Sequence, residues 1–137
     1  MAALIDAGFL YALLNRRDPH HRDVLQVAQT LQSPVYLPIP MVTEVTYLLH
    51  KYVGTQAMAE FVEGLASTQM RLVTPEPDDY RRAAELARRY EDAPLDFVDT
   101  LIVAVAERLE VTTILTLDQR HFRLVRPRHC EAFEIRP

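Results

Sequence analysis

The sequence alternates between short apolar runs, typical of buried strands, and longer segments in which apolar residues recur at helical spacing. Strands are predicted at residues 2–6, 35–37, 70–74 and 113–117, with a short fifth at 132–135. Strands that alternate with helices form a mainly parallel sheet with helices on both faces. The sequence therefore predicts a three-layer α/β/α fold with a mainly parallel sheet of four to five strands.

The segments between the strands carry helix start signals. Helices are predicted near residues 7–15, 18–32, 40–52, from 55 onward, 78–90 and 95–109. Asp18 before Pro19 predicts the start of the second helix, and Thr55 and Asp78 are predicted to cap the fourth and fifth. The last helix is apolar on every side from residue 101 to 106, which indicates a helix covered on several sides.

Length and composition limit the class of protein. At 137 residues, 49% of them hydrophobic, the chain can build one core, and we expect one domain spanning residues 1–137. The sequence has no run of about 18 apolar residues, and a strand-like segment follows Met1 directly, so we expect a cytoplasmic protein without membrane contact. The single cysteine, Cys130, has no partner for a disulfide. We therefore expect packing to provide the stability.

Two aspartates follow predicted strands. Asp6 ends the first strand and Asp118 ends the fourth. Ligands of parallel α/β sheets bind beyond the carboxyl ends of the strands, so both carboxylates are expected at one rim of the sheet. Each could equally be an ordinary structural residue, because Asp6 could cap the helix that begins at Ala7 and Asp118 could begin a turn.

Three further acids lie on predicted helices. Glu44 is at the edge of the apolar stripe of the third helix, where a carboxylate is costly unless it is paired, binds a metal or stays partly exposed. Asp96 and Asp99 occupy the first turn of the apolar helix. Asp96 suits a helix cap, whereas Asp99 points one turn later into a covered region. Asp99 is therefore predicted to be the functional acid, and Asp96 a cap or an auxiliary ligand.

These acids together predict a metal site. Carboxylates gathered within a few ångströms raise one another's pKa, so a cluster of Asp6, Glu44, Asp99 and Asp118 requires a cation. Oxygen ligands with room for water suit Mg²⁺ or Mn²⁺. The five histidines lack the pairing on one helical face that zinc enzymes show, and each, including His121, is predicted to be a surface or loop residue.

Four segments resemble, in order and spacing, the PIN domain, and most closely the VapC-type toxin ribonucleases. They are Ile5-Asp6, Thr43-Glu44-Val45, LDFVDTLIVAVA at 95–106, and Thr116-Leu117-Asp118 followed by His121-Phe122. The resemblance covers essentially the whole chain. It implies that Asp6, Glu44, Asp99 and Asp118 bind the metal and that Thr116 supports the site. It also implies a homodimer and a VapB-type antitoxin partner.

The hypothesis that follows is metal-assisted hydrolysis of RNA. Mg²⁺ or Mn²⁺ held by the acids would polarise the phosphate and lower the pKa of a water that attacks in line, leaving a 5′-phosphate. Asp99 or Asp118 would orient that water as a base, and the sequence does not choose between them. The net charge of −4 argues against coating nucleic acid by bulk electrostatics, so local arginines, with Arg120 and Arg123 as candidates, are expected to bind RNA phosphates.

Other functions stay open. An aspartyl-phosphate phosphatase typically needs an acid two residues after its nucleophile, where this chain has Gly8. A receiver-type signalling domain needs a lysine after a late strand, whereas Lys51 lies in the third predicted helix. The remaining alternative is a catalytically weak binding module of the same fold that pairs with an antitoxin-like partner. The complete set of four carboxylates favours the nuclease.

Overall fold

A computed structural model of the chain describes residues 2–93 and 95–137, so Met1 and Pro94 lie outside the described residues. The strands are β1 Ala3–Ile5, β2 Val35–Pro38, β3 Arg71–Val73, β4 Thr113–Leu115 and β5 Glu134–Arg136. They form one sheet in the order β3-β2-β1-β4-β5, and every neighbouring pair is parallel. The predicted α/β fold with a parallel sheet flanked by helices is confirmed, including the short fifth strand.

The strand order reverses beside β1, which is the central strand. The chain adds β2 and β3 on one side of β1, and β4 and β5 on the other. Ile5 pairs with Leu115, and the Asp6 N–H donates to the Leu115 carbonyl at 2.9 Å. The chain therefore leaves β1 and β4 side by side, at the kind of crevice where α/β sheets bind ligands.

Seven helices lie in the described part of the chain. They are α1 Ala7–Leu14, α2 His21–Thr30, α3 Ile39–Tyr52, α4 Thr55–Gly64, α5 Pro77–Arg89, α6 Phe97–Leu109 and α7 Gln119–Leu124. The predicted start of the second helix, with Asp18 as its cap and Pro19 as its first residue, is wrong by two residues, since His20 is the cap and His21 begins the helix. The Asp18 carboxylate accepts the His20 N–H at 2.8 Å and closes a local turn instead of capping a helix.

Two further predicted caps are also wrong. Thr55 is the first residue of α4, and the cap is Gly54, whose φ of 134° is open to glycine and strained for other residues. Asp78 lies inside the first turn of α5, whose cap is Glu76. There Asp79 closes a capping box, because its carboxylate accepts the Glu76 N–H at 2.8 Å. Each error moves a helix start without changing the element order.

Helix α6 runs through the centre of the core, as its apolar sequence predicts. Every residue from 99 to 106 is buried. Phe122 of the short helix α7 is also fully buried, so α7 is anchored to the core directly after β4. Burying one side chain of this size contributes about 1.5–3 kcal/mol, which is enough to fix the position of a six-residue helix that would not form alone. In the described residues, no helix is both long and apolar enough to cross a bilayer.

Candidate metal centre

Asp6 is held at the carboxyl end of β1 by two hydrogen bonds. It is the N-cap of α1, and its Oδ1 accepts the Ala7 N–H at 2.7 Å. Its Oδ2 accepts the hydroxyl of the fully buried Thr116 at 2.8 Å. The Thr116 oxygen in turn accepts the Asp118 N–H at 3.0 Å. Thr116 therefore fixes the carboxylate that follows β1 and the backbone that follows β4.

Asp96 and Asp99 form a reciprocal capping box at the start of α6. The Asp99 N–H donates to Asp96 Oδ1 at 2.9 Å, and the Asp96 N–H donates to Asp99 Oδ2 at 3.3 Å. The prediction that Asp96 caps the helix is confirmed. Asp99 is only 7% exposed, so the helix start places a carboxylate in the covered position that the sequence predicted.

His121 lies in the site, whereas the sequence predicts a surface or loop position for it. It belongs to α7, and its Nδ1 is 2.6 Å from Asp118 Oδ2 and 3.2 Å from Asp99 Oδ2. Neither contact has the alignment of a hydrogen bond, so this buried nitrogen is unsatisfied among the described residues. The signal that could have found it is its spacing of three residues from Asp118 together with the apolar Phe122, which anchors the turn.

The acids converge on an open cleft of about 420 Å³. Its lining residues come from four helices and from the residues just before α1, α6 and α7: Asp6, Gly8, Glu44, Asp96, Val98, Asp99, Leu117, Asp118 and His121. Glu44 reaches the cleft from α3 and is more exposed than Asp99. Arg120 and Arg123 are exposed and lie outside this lining, with Arg123 donating to Gln119 at 2.8 Å. Their role in binding RNA stays a prediction.

The cleft disfavours the ionised acids. Burial raises the pKa of Asp99 to about 7, with the neighbouring Asp96 and Asp6 adding to the shift and the Asp96 N–H and His121 opposing it. Burial also raises the pKa of Asp6 above its ordinary value, against the hydrogen bonds from Thr116 and Ala7. Within the described residues, no lysine or arginine lines the cleft. Five acids therefore share the cleft with one basic side chain, His121, and the negative charge exceeds the positive charge there.

The donors fit a divalent cation. One ligand atom each from Asp99, Asp118 and His121 lies within 4.8 Å of the other two. Two carboxylate oxygens and one imidazole nitrogen around a shared point are a common partial ligand set for a divalent ion. The unsatisfied Nδ1 of His121 is the atom that such an ion would satisfy. Asp6 and Glu44 line the same cleft but are not part of this closest group.

The comparison with known families decides the identity of the fold. The profile of the PIN domain matches residues 3–126. The chain belongs to the PIN domain family. Ribonuclease VapC26 of Mycobacterium tuberculosis is 29% identical to this PIN domain over 124 residues, which cover 90% of this chain and 92% of the relative.

Two solved structures share the PIN fold at lower identity. VapC20 of Mycobacterium tuberculosis, described as a toxin that cleaves the sarcin-ricin loop, superposes with a TM-score of 0.85 at 21% identity and covers 98% of this chain and 99% of its own. A toxin–antitoxin complex from Klebsiella pneumoniae gives a TM-score of 0.69 at 21% identity, with 88% and 89% covered. At such identities the likeness establishes the fold, and the chemistry has to be argued from this chain's own site.

Proposed function

We propose that this PIN domain is a metal-dependent endoribonuclease that hydrolyses phosphodiester bonds in RNA as the toxin of a VapBC-type pair. The observation that carries the proposal is the cleft, which is lined by carboxylates of α3 and α6 and of the residues just before α1, α6 and α7, without a lysine or arginine of the described chain. Likeness to Ribonuclease VapC26 supports RNA as the substrate class. The proposal includes a cytoplasmic location and a single domain over residues 1–137.

The ion that suits this site is Mg²⁺ or Mn²⁺. We assign Asp99, Asp118 and His121 as its nearest candidate ligands, with Asp6 and Glu44 as further acids of the same cleft and Asp96 as an auxiliary acid. An ion bound there would polarise the scissile phosphate and lower the pKa of an attacking water. The cleft has more acids than a metal site with three protein ligands needs. The remaining carboxylates could orient water and substrate.

The chain's own groups have separable tasks in this reaction. Thr116 holds the Asp6 carboxylate in place by the 2.8 Å hydrogen bond, so that acid cannot swing away from the cleft. Asp96 does the same for Asp99 through the capping box. Asp99 or Asp118 would accept the proton of the attacking water, since both carboxylates face the centre of the cleft. Arg120 and Arg123 stay candidates for binding RNA phosphates beside it.

We also propose a homodimer and a VapB-type antitoxin as partners. The support is the likeness to VapC proteins and to the toxin–antitoxin complex of Klebsiella pneumoniae. A nuclease that is toxic to its own cell needs such a neutralising partner. Co-purification with the product of an adjacent gene, followed by size-exclusion chromatography with light scattering, would test both assignments.

The test of the proposed activity is cleavage of a labelled single-stranded RNA panel with Mn²⁺, Mg²⁺ or EDTA. The expected result is metal-dependent cutting that leaves 5′-phosphates, is absent in EDTA, and is lost in the variant Asp6→Asn, Asp99→Asn. A matched control is Asp23→Asn, Asp92→Asn, which removes two exposed acids outside the cleft lining and should cut normally. Wild-type protein that binds the ion yet cuts no RNA would instead assign the chain to the binding-module alternative.

A further inference from the structure

Helix α3 carries an exposed face that begins in the acidic cleft. Glu44 lines the cleft, and Tyr47 and Lys51 follow it three and seven residues later, so the three side chains share one side of the helix. At about 1.5 Å per residue, the face extends about 10 Å from Glu44 to Lys51. That length corresponds to about three stacked nucleotides at roughly 3.4 Å each. The face therefore leads away from the cleft over a distance that a short strand of RNA could follow.

Two exposed tyrosines flank Lys51, with Tyr47 on this face and Tyr52 beside it at the last residue of α3. Tyr47 and Tyr52 are 59% and 62% exposed, the two highest values among the exposed large hydrophobic residues of the described chain. The Lys51 ammonium lies 5.7 Å from the centroid of the Tyr47 ring and 5.2 Å from that of Tyr52. Exposed rings offer surfaces on which bases stack, and a cation between them is placed to meet the connecting phosphates.

Two arginines extend the same surface beyond the end of α1. An open depression of about 440 Å³ lies between the end of α1 and the end of α3. It is lined by Leu14, Asn15, Arg16, Arg17, Tyr52 and Val53, with no acid in the lining. Arg16, Arg17 and Lys51 form no ion pair with any described residue, whereas Arg82 of α5 and Arg108 of α6 are paired. Their charge is thus available to an external anion.

We propose that Arg16, Arg17, Tyr47, Lys51 and Tyr52, here called the α3 surface, bind single-stranded RNA that extends from the cleft. The proposal rests on the proposed ribonuclease function and names the path of its substrate. The acids of the cleft repel phosphates, so the flanking strand needs positive charge nearby. Tyrosine rings stack only on bases that are unpaired, which selects a single strand over a duplex. An acidic peptide could pair with the arginines, but it would leave the two exposed rings unused.

Binding of a fluorescent single-stranded RNA of twelve nucleotides to the full chain in EDTA tests the α3 surface without cleavage. Fluorescence anisotropy should show about tenfold weaker binding for Tyr47→Ala and for Tyr52→Ala, and near wild-type binding for the corresponding phenylalanine variants, which keep the rings. The matched control is Tyr80→Ala on α5, a tyrosine that is also exposed. Equal RNA affinity of wild type and both alanine variants would overturn the proposal.

The salt dependence of RNA affinity tests the contribution of Arg16 and Arg17 separately from that of the tyrosines. Changing Arg16 and Arg17 to glutamine should reduce the slope of log affinity against log salt concentration by about 1.4, at roughly 0.7 per phosphate contact on a single strand. The same change at Arg88 and Arg89, two exposed arginines of α5, should leave the slope unchanged. Light scattering on all variants tests whether a second copy of the chain occupies the α3 surface instead of RNA. Loss of a dimer in the tyrosine variants would assign the α3 surface to that contact and overturn the proposal.

Cleavage kinetics distinguish failure of this proposal from failure of the proposed function. With Mn²⁺, Tyr47→Ala should raise KM for the twelve-nucleotide RNA, leave kcat unchanged, and have no effect on a trinucleotide that ends within the cleft. If the wild type cuts RNA and the variants have the same kcat and KM on both substrates, the proposed role of the α3 surface is overturned and the proposed ribonuclease function stands. If the wild type cuts no RNA but binds it through the two tyrosines, the proposed ribonuclease function is overturned and the proposed RNA binding by the α3 surface stands.

Discussion

Carboxylates are buried in two regions of this PIN domain, and the two regions neutralise them differently. Between α5 and α6, Asp79 is 3% exposed and accepts Arg108 Nε at 3.0 and 3.1 Å, while Glu107 accepts Arg82 Nε at 2.8 Å. In the cleft, Asp99 is almost as buried, yet no lysine or arginine of the described chain lines that space. The chain places arginines beside the acids in one region, and in the other only His121.

The pKa shifts follow the same contrast. Burial acts to raise the pKa of Glu107, but the hydrogen bonds from Arg82 and from the Arg128 N–H hold it below its ordinary value. Burial raises the pKa of Asp99 to about 7, and the neighbouring acids add to that shift. The acids between α5 and α6 therefore stabilise the contact of the two helices through ion pairs. The acids of the cleft carry an excess of negative charge, which a bound cation would neutralise.

The largest expected effect is on catalysis. Asp99→Asn should lower kcat/KM for RNA by about 10³-fold, which corresponds to about 4 kcal/mol, because it removes a charged candidate ligand of the ion. Its stability in EDTA should be unchanged or higher, since the amide still accepts the Asp96 N–H and no buried charge is left. Cleavage rates and urea unfolding of the same preparation measure both. Full activity in this variant would remove Asp99 from the site.

The opposite pattern is expected at the α5–α6 contact. Asp79→Ala should lower the free energy of unfolding by about 2 kcal/mol, because Arg108 keeps only Glu76 at 3.3 Å and the capping box is lost. The figure is below the usual cost of breaking a buried pair since the Arg108 side chain is 27% exposed. Activity at 25 °C with saturating Mn²⁺ should persist. An inactive but stable Asp79→Ala protein would contradict the division between the two regions.

His121 should determine which ion the cleft prefers. An imidazole nitrogen is a better ligand for Mn²⁺ than for Mg²⁺, so His121→Ala should weaken Mn²⁺ binding about tenfold and change Mg²⁺ binding far less. Titration calorimetry with each ion gives the two affinities, and His50→Ala, an exposed histidine of α3, is the matched control. Equal weakening of both ions would mean that His121 positions the carboxylates and does not bind the ion.

The smallest expected effect is in the pH dependence of the metal-free protein. The folded pKa of Asp99 is raised from 3.8 to about 7, so the folded state binds more protons than the unfolded chain between those values. The ionised Asp99 carboxylate therefore destabilises the folded state at pH 8 but not at pH 4, where the carboxyl of the folded state is protonated. In EDTA, wild type should match Asp99→Asn at pH 4 and melt about 3 °C lower at pH 8, a difference of about 1 kcal/mol. A constant difference across that range would contradict the assignment.

Much of the fold could be predicted from local sequence patterns. Apolar runs alternating with helical periodicity predicted the parallel sheet, and the all-apolar segment predicted the central position of α6. Asp6 and Asp118 were expected at one rim because both follow strands, and the structure places both in the cleft. Helix starts were less predictable, since Asp18 bonds to His20 in a turn that has the same sequence signature as a cap.

The parts that sequence could not predict depend on tertiary contacts. Arg82 and Glu107 are 25 residues apart, and only the packing of α5 on α6 brings them together. The sequence predicts a surface or loop position for His121 because no second histidine shares its helical face, whereas its contacts in the structure are Asp118, three residues earlier, and Asp99 of α6. The sequence signal for His121 is its position three residues after Asp118, at the predicted rim of the sheet.

The most direct test of whether the acidic cleft binds a divalent cation is calorimetric titration with Mn²⁺ of the wild type and of the double variant Asp6→Asn, Asp99→Asn. The account predicts saturable Mn²⁺ binding to the wild type, accompanied by release of protons near pH 7 and lost in the double variant. Wild-type protein that binds no Mn²⁺, or a double variant that binds it equally well, would show that the acidic cleft is not a metal centre.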